Sequence, residues 1–251
     1  MLKQISLFAL AVLFTCTAVT AQDANNFKFG LQISPTISWM NTDDNRITNQ
    51  GTALGLKLAT QAEYVFADKY SVASGIGFHF NTGGSMQSQY GGRFFTESLP
   101  TTDAFNQTSE ANQPDGPVLI DYSIQYVEIP LSLKLRTREF GTLTYYMEAP
   151  IFTLGIRSNA LGGLSGGGVT QEVEDLSIKK EVNPLAFSWG FGGGVEYSIL
   201  DGTRIFGGLT FQRMFLDATK DGDDYNYKGR DALDDPKATI NSLTLRLGVL
   251  F

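Results

Sequence analysis

The chain lacks most of what marks a catalytic, a disulfide-built or a nucleic-acid-binding protein. Its 251 residues include one cysteine, Cys16, and one histidine, His79. A single cysteine excludes a disulfide framework within the chain. A single histidine excludes a histidine-rich metal centre and leaves few general bases. Charged residues make up 18%, below the roughly 25% of an average soluble domain. The formal net charge is −7, which argues against nucleic acid, because nucleic acid selects basic faces. Beyond the first residues no segment offers about 18 consecutive apolar side chains, so no membrane helix is encoded. Glycine and aromatics are plentiful instead, with 27 Gly, 18 Phe and 10 Tyr.

Met1–Ala21 reads as a secretory signal peptide. Lys3 supplies the positive end, Ile5–Phe14 the apolar run, and Val19-Thr-Ala21 a small-residue cleavage site before Gln22. Cys16 lies inside this leader, and Phe14 and Thr15 ahead of it make a poor lipidation site. Cleavage after Ala21 leaves residues 22–251 as one domain without cysteine. It also removes Lys3, leaving 18 basic against 26 acidic residues, a net −8. An exported chain with many strands and no membrane helix is either a secreted β-sandwich or an outer-membrane barrel.

The mature sequence alternates. In Tyr126-Val-Glu-Ile-Pro-Leu-Ser-Leu-Lys-Leu-Arg136 every second residue from Val127 is apolar, and Glu128, Pro130, Ser132, Lys134 and Arg136 lie between. A period of two is a strand, because successive side chains point to opposite faces. The same pattern predicts strands over 27–40, 52–66, 70–81, 119–136, 142–157, 184–200, 204–216 and 239–251. In the fourth, the apolar positions shift phase between Tyr126 and Val127, and one extra residue, a β-bulge, is the simplest cause. A second bulge is expected near Pro150, and 173–180, within the long 158–183 loop, could form a short helical turn, though nothing requires one.

The connections alternate in length. Those near 41–51, 82–118, 158–183 and 217–238 are long, while those near 67–69, 137–141 and 201–203 are short. Short periplasmic turns, long extracellular loops and an even strand number are the rule for outer-membrane barrels. A sandwich has no reason to keep that order. The expected fold is therefore all-β, an eight-stranded antiparallel up-and-down transmembrane β-barrel embedded in outer-membrane lipid.

A barrel of eight strands is just wide enough for side chains to fill. The inward positions carry charges at related heights. Glu63, Lys134, Glu148, Glu196 and Arg246 fall in one layer near the short turns, and Lys57 with Glu128 in a higher one. Opposite charges confined in a lumen pair, because an unpaired buried charge is costly. The expectation is a static ion-pair core rather than an ion path. His79 points inward near the loop end of its strand and reads as a rim histidine; no motif ties it to Ser85 or Glu97 as a triad would require. The acidic stretch Asp217, Asp221, Asp223, Asp224, Asp231, Asp234 and Asp235 lacks the spacing of a dedicated calcium loop and reads as a solvated loop. Asn106-Gln-Thr108 is a sequon only in form. Gly162–Gly168 is no phosphate cradle, since no lysine and helix follow. No catalytic residue, cofactor site or metal site is expected.

Three stretches carry a resemblance. Tyr126-Val-Glu-Ile-Pro-Leu-Ser-Leu-Lys-Leu135, Phe191-Gly-Gly-Gly-Val-Glu-Tyr197 and the closing Leu243-Thr-Leu-Arg-Leu-Gly-Val-Leu-Phe251 resemble the PorT-type outer-membrane barrels of Bacteroidota. The resemblance implies a non-enzymatic barrel, with type IX protein secretion or envelope organisation as its role. It also implies that Phe251, an aromatic closing an alternating strand, serves as an assembly signal for the barrel-assembly machinery. Partners would then be other outer-membrane or secretion-system proteins that meet the long loops. A small porin-like channel and a lipid-modifying barrel stay open as alternatives.

Overall fold

The computed structural model describes residues 26–89, 94–95, 97–98, 117–166, 172–200, 202–220, 224–227, 230–233 and 237–251, with 224–227 and 230–233 as backbone only. The leader and its cleavage site, Asn106, Gly167, Gly168 and the side chains of Asp221–Asp235 lie outside the described residues. Eleven strands are present among the described residues: β1 Phe27–Thr42, β2 Ile47–Ala67, β3 Tyr70–Ser88, β4 Val118–Arg136, β5 Leu143–Ser165, β6 Val173–Ser177, β7 Leu185–Leu200, β8 Thr203–Met214, β9 Asp224–Tyr227, β10 Arg230–Leu233 and β11 Ala238–Leu250.

Eight of them close a ring. The sheet runs β4-β3-β2-β1-β11-β8-β7-β5, and a further β4–β5 pairing joins its ends. Every ring pairing is antiparallel and links neighbours in this chain order, which is an up-and-down barrel. The last and first strands seal it: Phe251 N donates to Phe29 O at 2.7 Å, and Phe29 N donates to Phe251 O at 3.2 Å. Gly141 (φ 66°) and Gly202 (φ 87°) supply left-handed positions in two of the short turns. β9 and β10 form a separate two-stranded sheet.

β6 lies within the stretch the sequence reads as the 158–183 loop, and no helical turn forms over 173–180. β7 pairs with β5 only as far as Ile156, so the last stretch of β5 has an unpaired edge. Leu161, Gly162 and Leu164 use that edge to pair with Ser177, Leu176 and Val173. Strands also run farther toward the loop end than the sequence indicates; β3 continues to Ser88 and β5 to Ser165.

The phase shift at Tyr126/Val127 is not a bulge in β4. Even-numbered residues of β4 from Val118 to Arg136 keep facing the lumen on both sides of that point. The extra residues lie in its neighbours. The β3–β4 register steps from His79/Tyr126 to Thr82/Ile124, where Asn81 has φ 54°. The β4–β5 register steps from Gln125/Asn159 to Tyr126/Arg157, leaving Ser158 unmatched. A further step at Glu148/Ile151, beside Pro150, places a bulge where the sequence indicated one. What changes along β4 is the chemistry of the lumen. On the turn side the inward residues are Glu128, Pro130, Ser132, Lys134 and Arg136; on the loop side they are Val118, Ile120, Tyr122, Ile124 and Tyr126.

The outer wall changes in the opposite sense at the same height. From Val127 to Leu135 the outward residues of β4 are apolar, and from Asp121 to Gln125 they are polar. The apolar belt is continuous around the ring, with Leu31 and Ile33 on β1, Leu58 on β2, Ile76 on β3, Leu131 on β4, Leu154 on β5, Phe191 on β7, Leu209 on β8 and Leu245 on β11 all exposed. Aromatic pairs border it at both ends: Phe66 with Tyr70 and Phe140 with Tyr145 near the turns, Trp39 with Phe211 and Phe187 with Phe215 toward the loops. Paired aromatic girdles mark the two interfaces of a lipid-embedded barrel. Above the belt the wall encloses an ordinary apolar core. Met40, Met86, Ile120, Ile124, Leu164, Ile178 and Ile240 pack there, and Phe94 and Phe95 fill it, with the Phe95 ring edge-on to Tyr122 at 5.7 Å.

Candidate functional site: a closed lumen

Below the apolar core the lumen is ionic. Lys134 is its hub. Its Nζ lies 2.6 Å from Glu196 Oε1, 3.4 Å from Glu63 Oε2 and 3.9 Å from Glu148 Oε1. It also stands 4.3 Å from the Tyr146 ring centre and 5.7 Å from that of Phe206, within cation–π range. Arg246 Nη1 donates to Glu148 Oε2 at 2.6 Å, and its other nitrogens reach Gln32 and Gln61. Lys134 and Glu148 face each other across the β4–β5 ladder, which fixes their approach.

Glycine makes room for this cluster. A Cβ at Gly194 or Gly208 would strike the Tyr146 hydroxyl, and one at Gly248 would strike the Phe206 ring. The Phe191-Gly-Gly-Gly-Val-Glu-Tyr197 stretch is thus a floor on which Tyr146 lies. That places both rings beside the Lys134 ammonium.

Two cations of this cluster escaped the sequence reading. Arg136 Nη2 donates to Glu63 Oε2 at 2.7 Å and to Glu196 Oε1 at 2.8 Å, its Nε donates to Glu196 Oε2 at 3.0 Å, and its Nη1 donates to Glu63 Oε1 and Ser71 Oγ. Arg204 joins Glu196 at 3.2 Å to Glu139 in the 137–141 turn at 2.7 Å. Both sit at strand ends in the sequence, and height along the strand placed them outside the layer. A guanidinium carried on a flexible stem reaches a layer above its own Cα. The signal available was charge balance, since Glu63, Glu148 and Glu196 outnumber Lys134 and Arg246 until Arg136 is counted.

A second group sits higher. Lys57 Nζ lies 2.9 Å from Glu128 Oε2 and donates to Gln212 Oε1 at 3.0 Å. Glu128 Oε1 lies 3.0 Å from His79 Nδ1. His79 is not at a rim. It is 3% exposed, because β3 continues nine residues past it to Ser88 and carries the apolar core above it. Ser85 and Glu97 do not meet it. Ser85 Oγ donates to Asp121, and Glu97 N donates to Glu181 Oε1 at 2.8 Å.

The loop end is tied across. Arg157 Nη1 donates to the carbonyls of Lys179 and Val182, Asn183 Nδ2 to those of Asp217 and Thr219, and Lys220 N to that of Glu181. Asp217 is part of this clasp: its Oδ1 accepts from Thr219 N at 3.0 Å and Ala238 N at 3.0 Å. Phe251 is the outward, exposed end of the closing strand.

A ring of eight antiparallel strands, with charges inside and a continuous apolar belt bordered by aromatics outside, is a transmembrane β-barrel. No family model matches the chain, and no curated protein matches it. Among solved structures it is similar to Neisserial surface protein A, at 11% identity and TM-score 0.45, covering 90% of this chain and 96% of that one. It is also similar to Ail, the attachment invasion locus protein of Yersinia pestis, at 12% identity and TM-score 0.37, covering 89% and 98%. OprG, an outer membrane protein from Pseudomonas aeruginosa, gives 14% identity and TM-score 0.38, covering 90% and 95%.

Proposed function

We propose that this chain is a non-enzymatic outer-membrane barrel that serves envelope organisation or protein export by binding other proteins through its loop end. The observation that carries the reading is the filling of the barrel. The turn half is crossed by the Lys134–Arg136–Glu63–Glu196 cluster, and the loop half is packed with Phe94, Phe95 and the side chains around them. A barrel filled in this way is a scaffold. On rigid scaffolds recognition lies in the exposed loops, and here the wall itself rises beyond the belt and clasps those loops. His79 has a carboxylate and an ammonium beside it but no nucleophile in hydrogen-bonding reach among the described residues, which speaks against a lipid-modifying site.

Within this reading the leader is cleaved between Ala21 and Gln22, which the intact mass of the mature protein reports. The belt is covered by outer-membrane lipid, and the assembly machinery receives the strand ending in Phe251. The resemblance to the PorT type makes type IX secretion the specific candidate, by analogy of family rather than by site.

Planar-bilayer recording separates the scaffold from a small channel. The reconstituted protein should show no steady conductance, and large regular openings would favour the channel. Deleting the gene in its own host tests the role. Cargo of the type IX system should accumulate in the periplasm and be lost from the surface. Normal secretion in the deletion strain would sink the export role.

A further inference from the structure

Among the buried side-chain atoms of the lumen without a hydrogen-bond partner in the described residues are His79 Nε2, Gln61 Nε2 and Glu148 Oε1. They line two cavities stacked along the barrel. The one nearer the turns, about 60 Å³, has Gln61, Glu148, Arg246 and Thr244 in its wall. The one nearer the loops, about 30 Å³, has His79, Ser188, Ser242 and Met214. Lys57, Glu128, Thr153 and Gln212 line both.

We propose that these cavities are two adjoining sites for internal water, and that the bound waters complete the hydrogen bonding of His79, Gln61 and Glu148. Leaving buried polar atoms without partners is costly, and native structures satisfy them with protein or ordered water. The volumes fit. A cavity needs about 10–15 Å³ to hold one water, and both chambers exceed that. Each wall carries polar side chains that give a water hydrogen-bond partners, Gln61, Glu148 and Arg246 in the larger and His79, Ser188 and Ser242 in the smaller.

The chemistry selects a neutral ligand. Lys57 is matched by Glu128 and Arg246 by Glu148, so neither chamber offers uncompensated charge to an ion. Gln61 Nε2 can only donate and Glu148 Oε1 has room for a donor, and water can meet either need. Water also donates or accepts at His79 Nε2, whichever tautomer the ring adopts. Toward the loops, Tyr126, Met214 and Ile240 in the smaller chamber's wall belong to the apolar core; toward the turns, Arg246 in the larger chamber's wall is held on Glu148. The waters are therefore part of the structure and no segment of a conducting file, whatever partner the loops bind.

X-ray radiolytic footprinting of the folded protein in detergent tests this. Radicals formed from bound water oxidise the side chains touching it without access from bulk. Met214 touches the smaller chamber, whereas Met40 and Met86 lie in the same apolar core outside both chambers; all three are at most 5% exposed. Met214 should be converted to the sulfoxide several-fold faster than Met40 or Met86, while peroxide added to bulk should oxidise the three alike. His79→Leu, which fills the chamber with an apolar group, should bring Met214 down to the Met40 rate. Equal radiolytic rates in the unmodified protein would overturn the proposal. So would bromide occupying either chamber in crystals soaked in bromide.

Discussion

Glu196→Ala should cost the barrel about 3–5 kcal/mol, the usual penalty for breaking a buried ion pair by removing one partner. Glu196 is fully buried and touches three cations: Lys134 at 2.6 Å, Arg136 at 2.8 Å and Arg204 at 3.2 Å. The carboxylates Glu63, Glu148 and Glu196 balance Lys134, Arg136 and Arg246, so deleting one leaves an uncompensated cation in a confined site. Glu139 cannot move in to compensate, because it sits in the turn and already holds Arg204. Urea titration of the folded barrel, followed by its heat-modifiable mobility on gels, measures the loss. Lys134→Met should act in the same direction. The double variant Lys134→Met, Glu196→Ala should lose less than the sum of the two, because each removes the other's stranded charge. Additive losses in that cycle would mean that the two side chains do not depend on each other, against the 2.6 Å contact.

The sequence was legible where one rule governs both walls. Within the belt, the alternation of Val127, Ile129, Leu131, Leu133 and Leu135 with charged or small residues gives strand, face and lumen together, because lipid accepts only the apolar face. Lys57 beside Glu128 and Lys134 beside Glu148 could be placed from strand height alone. The loop half of β4 departs from the sequence expectation for a physical reason. A period of two says that one face is apolar; it does not say whether that face is in or out. Ile120, Tyr122, Ile124 and Tyr126 alternate as cleanly as the belt does, yet they point inward, because beyond the lipid the outside is water and the inside must be apolar. The phase shift thus recorded the edge of the membrane, and the bulges it suggested belong to β3 and β5. The rim position expected for His79 fails for the same reason, since β3 continues past the belt to Ser88. β6 left no comparable mark, as the unpaired edge of β5 decides its conformation.

The same aspartate placed at three heights on β4 should give three different results, and this scan tests the exchange of chemistries directly. Ile124→Asp should unfold or severely destabilise the loop end. Ile124 is fully buried in the apolar core with Met40, Phe95 and Ile240 around the same space, and an unpaired buried charge there costs about 3–5 kcal/mol. Ser123→Asp, one residue away, should be nearly silent, within about 0.5 kcal/mol as for other surface changes, because Ser123 points outward above the belt. Ile129→Asp should cost an intermediate amount, up to about 2 kcal/mol, since a carboxylate on the lipid face is penalised less than the 2–4 kcal/mol of a mid-bilayer arginine. Ile129→Arg should then exceed Ile129→Asp at that site. The reading of β4 as a wall that is apolar outside in lipid and apolar inside above it predicts the order 124, then 129, then 123. Were Ile124 lipid-facing, as its alternation with Ser123 and Gln125 alone permits, Asp at 124 and at 129 would cost alike and Asp at 123 would disturb the lumen. Urea midpoints of the three variants, taken in one detergent and referred to the unmodified barrel, distinguish the two arrangements.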